Sequence, residues 1–583
     1  MTTPTPRTHA IREALASTTA ADAYRRLRRA YAEHRTPRPV VRVDPVPEKR
    51  PFPQVTYAFA MGGIPPAFAG RTASVLAKTK TFSDQEGAEC LLLTMNFSWR
   101  FNEVVRDLRA RGLVGEHVRI LNMFDVFSGV DTDSGDAYPD PGRITRYPVE
   151  VDGLSAVRDT KATVPVYRYY DAQGVYRFYR KYDDGTWFLL DKPDERLLFQ
   201  DYFDEDRHRT RRNDFDRYGR LRRETYFDPE FNKPQREVFH RVDGSVFMER
   251  RSTWDPDTET SKITGAVLFD EQGKVTHKLG SHLELIHHYF DRVLAGRRVI
   301  LSVESRKSDR ETLSYDRDNV KQIYVLHNPH IRAPFARLDS LSYPYQGLFE
   351  RRDDVGAIVF LTNAQRADAE AAFGSHDNFV VIPHHMTPVE QNPAIERDPH
   401  LVVMLARLDQ QKQIDHAIRA FARVVAFVPD ARLEIFGNGP DEKSMADLIV
   451  KLGVADNVRL MGYTTDPSAV YQRATASMLT SRYEGFGRVI LESLANGCPV
   501  VSYDIKYGPG DMIHDGENGF LIPAGDIEAM ASRITTLLTD AELAEQLRRQ
   551  TRSTLADFSP EAASARWADL FCRLDKDWPA DTH

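Results

Sequence analysis

The sequence predicts an α/β protein of two facing Rossmann-like domains, the first interrupted by an inserted antiparallel β-sheet. Three observations carry that expectation. Strand and helix patterns alternate from Val55 onward. The helical period vanishes between about Val151 and Gly280. Alternation then resumes and continues almost to the C-terminus. A chain of 583 residues is also too long for one hydrophobic core, so several domains are expected.

Taken in order, residues 1–50 form a basic extension around "AYRRLRRAYAEHR" (Ala23 to Arg35). This patch suits attraction to anionic lipid or a polyanionic acceptor. It equally suits an amphipathic helix that turns Leu27 and Tyr31 to the body and its arginines to water. Residues 51–150 read as a strand "VTYAFA", a glycine loop "GGIPPAFAGR", a helix "TASVLAKTKTF", a strand "CLLLTM", a helix near Phe101–Arg111 and a strand "VRILNMF". That is βαβ order, and together with residues 281–386 it makes the first Rossmann-like domain.

Residues 151–280 are different. Aromatic, charged runs such as "VYRYYDAQGVYRFYRKYDDGTWFLLD" are punctuated by turn residues like Asp243-Gly244, the mark of antiparallel hairpins. Tyr167, Tyr169, Tyr170, Tyr176, Phe178 and Tyr179 are expected to be exposed on a face for a partner or a polymer; the other reading makes them the sheet's own core. A polar stretch at 387–400 reads as a linker. A second α/β domain fills 401–558, and 559–583 is a helix with a tail.

Composition narrows the function. A net charge of −7 argues against a general nucleic-acid binder. Cys90, Cys498 and Cys572 are scattered and odd in number, which fits neither a disulfide framework nor a zinc cluster and points to a reducing cytoplasm. No apolar run reaches spanning length, and the N-terminus lacks the apolar core of a signal peptide. An acceptor on a membrane or wall would be met from the inner face, as a peripheral contact.

The chemistry concentrates in the second domain. "ARLDQQKQIDHAIRAF" puts Arg407 at a strand end and Lys412 at a helix start, where cations and helix N–H groups suit a diphosphate without a metal. The alternative is surface pairing with Asp409 or Asp415. "SRYEGFGRVILESLANG" places Glu484 before a Gly485-Phe486-Gly487 turn and Glu492 eight residues later on a helix. Carboxylates accept paired hydrogen bonds from vicinal hydroxyls, one from a hexose and the other from a ribose. A solvated Glu492 is the plain alternative, weakened by its apolar flanks.

These motifs, with "YGPGDMI", resemble the nucleotide-sugar site of retaining glycosyltransferases of GT-B fold, group 1 (GT4). The resemblance implies that Glu484 approaches the donor hexose, Glu492 binds the ribose, Arg407 and Lys412 bind the pyrophosphate, and Tyr463 of "GYTTD" neighbours the base. The family's Ser-Glu in the later loop is Gly510-Asp511 here.

The glycine loop, the long insertion and "VLHNPH" are similar to teichoic acid α-N-acetylglucosaminyltransferases and to transferases that start O-GlcNAc on serine-rich adhesins. That resemblance implies His327 near the transferring sugar, Gly70 or Gly63 beside the donor phosphate, and self-association as a trimer. The donor would be UDP-glucose or UDP-N-acetylglucosamine, with no cofactor and no metal. The acceptor would be a polyol-phosphate polymer, with a protein Ser or Thr as the alternative and a non-catalytic companion of a transferase as a third reading. Such a companion need not keep Arg407, Lys412, Glu484 and Glu492 together.

Overall fold

The computed structural model describes residues 44–65, 70–130, 144–162, 164–183, 196–387, 389–553 and 555–578. The basic patch Ala23–Arg35 lies outside them. The chain divides into two compact units, one of residues 54–323 and one that joins 324–578 to 44–53. Among the described residues, no helix is long and apolar enough to cross a membrane.

The first unit is built on β1 (Thr56–Met61), buried at every position as a central parallel strand must be. It pairs in parallel with β2 (Cys90–Thr94) and with β14 (Val299–Val303), and β3 (Val118–Asn122) pairs beyond β2. Helix α1 (Arg71–Glu86) follows Gly70, whose φ of 54° is left-handed backbone that favours glycine. Helix α2 (Phe101–Ala110) connects β2 to β3. The run "VRILNMF" is only partly strand. The Asn122 side chain accepts from Phe124 N at 3.0 Å, capping α3 (Met123–Ser128) and ending the strand early.

The insertion is a ten-stranded antiparallel meander in which every strand pairs with its sequence neighbours. Its strands are β4 (Ser155–Arg158), β5 (Val166–Tyr170), β6 (Tyr176–Tyr182), β7 (Leu197–Phe203), β8 (Arg209–Phe215), β9 (Leu221–Phe227), β10 (Pro234–His240), β11 (Val246–Asp255), β12 (Thr260–Phe269) and β13 (Val275–Leu279). The expectation of six exposed aromatics is corrected here. Tyr169 is fully buried and the other five are half-buried, because cross-strand register stacks them on one another. Tyr169 lies 4.4 Å from Phe178, Tyr176 4.6 Å from Phe203 and Tyr179 5.9 Å from Phe199, ring centre to ring centre.

The charges are paired in the same way. Arg212 forks onto Asp201 with two contacts of 2.7 Å while its guanidinium covers the Phe199 ring at 3.8 Å. Arg223 bridges Asp214 and Glu237 at 2.8 and 3.2 Å. The sheet also packs on its own α/β half: Phe239 meets Phe124 at 4.8 Å and Phe97 at 5.3 Å. Helix α4 (His282–Leu294), capped by Ser281, returns the chain to β14.

Strand β15 (Val320–Val325) begins in the first unit and ends in the second, where β16 (Ala357–Phe360) pairs in parallel with β17 (Phe379–Val381) across helix α5 (Asn363–Phe373). A six-stranded parallel sheet follows, in the order β20-β19-β18-β21-β22-β23, made of β18 (Leu401–Leu405), β19 (Arg432–Phe436), β20 (Val458–Gly462), β21 (Ala476–Leu479), β22 (Val500–Asp504) and β23 (Gly519–Pro523). Strand order reverses after β18, and such crossover points set ligand-binding crevices at strand C-termini. Helix α6 (Ile414–Val425) buries Ile418 and Phe421 against Leu433 and Ile435. The closing helix α9 (Pro560–Lys576) holds residues 44–53: Phe52 stacks edge-on to Phe571 at 5.2 Å, and Arg566 donates to the Asp44 carbonyl at 3.0 Å. Between β21 and β23 lie α7 (Arg488–Ala495) and α8 (Pro509–Met512).

One ion pair pins α1 to the end of β14. Lys78 Nζ donates to Glu304 Oε1 at 2.5 Å, with both side chains buried, and Ser302 Oγ donates to the same oxygen at 2.7 Å. Removing one partner leaves an uncompensated buried charge. Lys78→Ala should therefore cost about 3–5 kcal/mol in chemical denaturation, and Lys78→Met combined with Glu304→Gln should recover most of it. Equal losses in the single and double variants would contradict that account.

Candidate functional site

The second unit carries a cluster at the C-terminal ends of its strands. It starts with the loop after β18. The Asp409 side chain accepts from Gln411 N at 3.1 Å and from Lys412 N at 3.3 Å, which holds this stretch as a turn. Gln413 then adopts φ 45° and helix α6 begins at Ile414, so Lys412 stands in the loop just before the helix rather than at its first residue. Its ammonium reaches across to Glu484 Oε1 at 2.5 Å, and Ser481 Oγ donates to the same oxygen at 2.7 Å. Both partners of the ion pair are largely buried.

The Glu484 turn is tied on both sides. Arg482 N donates to Gln411 O at 2.8 Å, Gln411 Nε2 to Tyr483 O at 3.0 Å, and Thr480 Oγ1 to Lys412 O at 2.9 Å. On the opposite flank Glu484 N donates to Lys506 O at 3.0 Å and Tyr507 N donates to Glu484 O at 2.8 Å. The two glycines of the turn have different uses. A Cβ at Gly485 would sit 1.8 Å from the His327 carbonyl oxygen, so only glycine lets the two backbones meet. Gly487 has φ 85° and lies before the first residue of α7. Phe486 between them is buried edge-on to His384 at 5.2 Å, and His384 stacks on His327 at 5.3 Å and 18°.

Several of the expected site residues thus come together: Lys412, Glu484, Gly485, Phe486 and His327. Arg407 takes the alternative pairing, with Nη1 on Asp409 Oδ2 at 2.6 Å, yet its side chain remains 66% exposed. Its loop donates from Leu408 N to Asn438 O at 3.1 Å. Glu492 lies within α7, half-buried and paired with Arg488 at 3.3 Å, so it is not the fully solvated glutamate of the plain reading. Tyr463, just past β20, is 60% exposed. Gly63 and Gly70 belong to the other unit, after β1 and before α1; residues 66–69 between them lie outside the described residues.

Other participants were not singled out in the sequence. Ser481 had a signal in its place three residues before Glu484. Tyr507 and His330 lie in the quoted runs "YGPGDMI" and "VLHNPH" but had no role assigned, and Asp368 and Lys506 had no signal, because these four meet only in the fold. Tyr507 OH and Lys506 Nζ both donate to Asp368 Oδ2, each at 2.6 Å. The His330 ring is fully buried, 5.3 Å from Phe349 and 6.3 Å from Tyr507, and burial pushes its pKa down to about 4. Asp511, which replaces the glutamate of the resembled motif, is buried in α8. Burial pushes its carboxyl up to about 7, against main-chain hydrogen bonds from Asn363 and Gly508 that favour the charged form.

The Asp511 shift has a definite sign. A carboxyl whose folded pKa lies above its unfolded value binds more protons in the folded state, so its contribution to stability is complete below about pH 4 and is lost as pH rises through about 7. Asn cannot ionise. Asp511→Asn should gain stability relative to the unsubstituted chain between pH 5 and pH 8, by about 1–4 kcal/mol. Urea titrations at both pH values measure this, and a difference that does not change with pH would refute it.

Comparison with known proteins places the chain. The family model Glycosyl transferase 1 domain A matches residues 58–270, and Glycosyl transferases group 1 matches 387–554. The poly(glycerol-phosphate) alpha-glucosyltransferase of Bacillus subtilis (strain 168) is 25% identical over 524 residues, covering 89% of this chain and 75% of that protein. The poly(ribitol-phosphate) alpha-N-acetylglucosaminyltransferase of Staphylococcus aureus (strain COL) is 23% identical over 509 residues, covering 86% of this chain and 96% of that protein. The crystal structure of TarM superposes with a TM-score of 0.72 at 21% identity, covering 91% of this chain and 100% of that one, which establishes a shared fold.

Proposed function

We propose, for a chain that belongs to the group 1 glycosyltransferases of GT-B fold, a retaining hexosyl transfer from a UDP-sugar to a hydroxyl of a polyol-phosphate polymer. The observation that carries this reading is the buried Lys412–Glu484 pair: a cation suited to a departing diphosphate held against a carboxylate suited to sugar hydroxyls. The likeness to two polyol-phosphate transferases over most of the chain supports the acceptor class. Likeness to peptide N-acetylglucosaminyltransferases is more partial in sequence, from 40% of this chain for the Streptococcus gordonii protein to 60% for that of Streptococcus pneumoniae.

In the proposed reaction the bond from the anomeric carbon to the diphosphate breaks, and the acceptor oxygen bonds to that carbon from the same face. The acceptor proton leaves on the departing phosphate. Lys412 and Arg407 stabilise the charge that grows on the leaving group, where the largest catalytic term usually lies. Glu484 orients the hexose, Glu492 binds the ribose hydroxyls, and the Tyr463 ring borders the base. Exposed Arg407 can leave Asp409 for phosphate oxygens by a side-chain rotation, a small cost for a surface pair. With two cations in this role, the transfer is proposed to need no metal.

Purified protein with UDP-glucose or UDP-N-acetylglucosamine should release UDP and add hexose mass to poly(glycerol-phosphate) or poly(ribitol-phosphate), in the presence of EDTA. Mass gain on a Ser/Thr-rich peptide alone would move the acceptor to protein, and dependence on added manganese would overturn the charge-neutralisation role.

The two ends of the donor should separate kinetically. Lys412→Ala removes a contact that strengthens in the transition state, so turnover should fall by about 10²–10³, or roughly 2.7–4 kcal/mol. Glu492→Ala removes contacts that are alike in ground and transition states, so it should raise the UDP dissociation constant. Calorimetry with UDP and steady-state kinetics on both variants check this; unchanged UDP affinity in Glu492→Ala would reject the ribose role.

A further inference from the structure

The proposed reaction asks Glu484 to hold a sugar hydroxyl in register with the leaving group, and one flank of its turn, the one away from the Lys412 loop, depends on a single segment. The turn is a loop between β21 and α7, and the Glu484 peptide N–H and C=O are both committed to that neighbouring segment, Lys506-Tyr507. That segment is fixed in turn. Lys506 Nζ and Tyr507 OH converge on a single carboxylate oxygen of Asp368 at 2.6 Å each, 138 and 139 residues away in the chain. A Cβ at Gly508 would lie 1.7 Å from the Phe486 carbonyl oxygen, so the segment also lies directly on the back of the Glu484 turn.

Asp368 sits in helix α5, and the same helix reaches the site at two further points. Gln365 Nε2 donates to Asn328 O at 2.9 Å, next to the His327 backbone that touches Gly485. The main chain of Asn363 donates to the Asp511 carboxylate in α8. Beside Asp368 the space is closed by the buried His330 ring, parallel to Tyr507 within 11°. Neither His330 ring nitrogen has a hydrogen-bond partner among the described residues, so the histidine serves as a flat, rigid wall there.

We infer that Asp368 is a positioning residue for the transfer, acting on Glu484 through the Lys506-Tyr507 segment. The inference rests on the reading of Glu484 as the hexose-binding carboxylate. Its physical content is a chain of two short contacts, the Asp368 carboxylate to a cation and a phenol and their shared main chain to the Glu484 peptide, which together aim the Glu484 carboxylate assigned to the sugar. Releasing Asp368 frees the main chain that flanks Glu484, while Arg407 and Glu492 keep their own side-chain partners and Lys412 keeps the contacts that hold its main chain. The loss should therefore appear in turnover and leave UDP binding alone.

The test is a double-mutant cycle read in kcat, donor KM and UDP affinity. Asp368→Ala should lower kcat by about 10–100-fold, the scale of second-sphere supports, with the UDP dissociation constant within about twofold. Glu484→Gln should lower kcat by itself; in that background, adding Asp368→Ala should cost less than about threefold, since the group it positions is already impaired. Tyr507→Phe, which removes one hydroxyl and leaves the fold intact if Asp368→Ala does not fold, should show a smaller loss with the same non-additivity. The same fold-loss in both backgrounds, or full activity in Asp368→Ala and Tyr507→Phe, overturns the inference while leaving Glu484 in its role. Full activity of Glu484→Gln overturns the underlying reading and the inference with it.

Discussion

The ion pair of Lys412 and Glu484 organises the loops at the strand ends of the second unit. A carboxylate this deeply buried is stable only with a partner, and a lysine at the mouth of a helix is placed only if something draws it inward. Each solves the other's problem. The pair therefore fixes the distance between two loops from different strands, one after β18 and one after β21. The remaining contacts, from Ser481, Thr480 and Gln411, hold the same two loops at that separation.

Much of this was legible in the sequence, for a physical reason. Parallel strands buried on both faces read as uninterrupted apolar runs, so "VTYAFA" and "CLLLTM" both proved to contain strands. Glu484 and Lys412 were legible because each belongs to a short local motif whose spacing is set by one turn. Helix α4 carries a local start signal of the same kind, its Ser281 cap with Glu284 three residues on.

What stayed hidden depended on register or on distant contacts. Composition showed that the insertion was aromatic and charged, but only the cross-strand pairing shows that Tyr169 meets Phe178 and that Arg212 covers Phe199. The aromatics were thus assigned to the surface when they cover each other. Lys412 was placed at a helix start because the pattern cannot reveal that the Asp409 side chain holds two more residues in a turn. Asp368 reads as one more acid on a polar helix; its position against Lys506 and Tyr507 is a property of the tertiary structure alone.

The neighbour-only pairing of the insertion has a consequence for biosynthesis. Strands β4 to β13 each pair with a sequence neighbour, and apart from the longer connection between Tyr182 and Leu197 each hairpin closes over a short loop at small entropic cost. The parallel strand β1 is in the opposite position, since Thr56 pairs with Val299 and the whole insertion must be translated between them. As the chain leaves the ribosome, the meander can assemble before the central sheet it interrupts is complete. The inserted sheet then ceases to be a long, floppy loop that the first unit must close, and becomes a prefolded spacer that delivers β14 to β1.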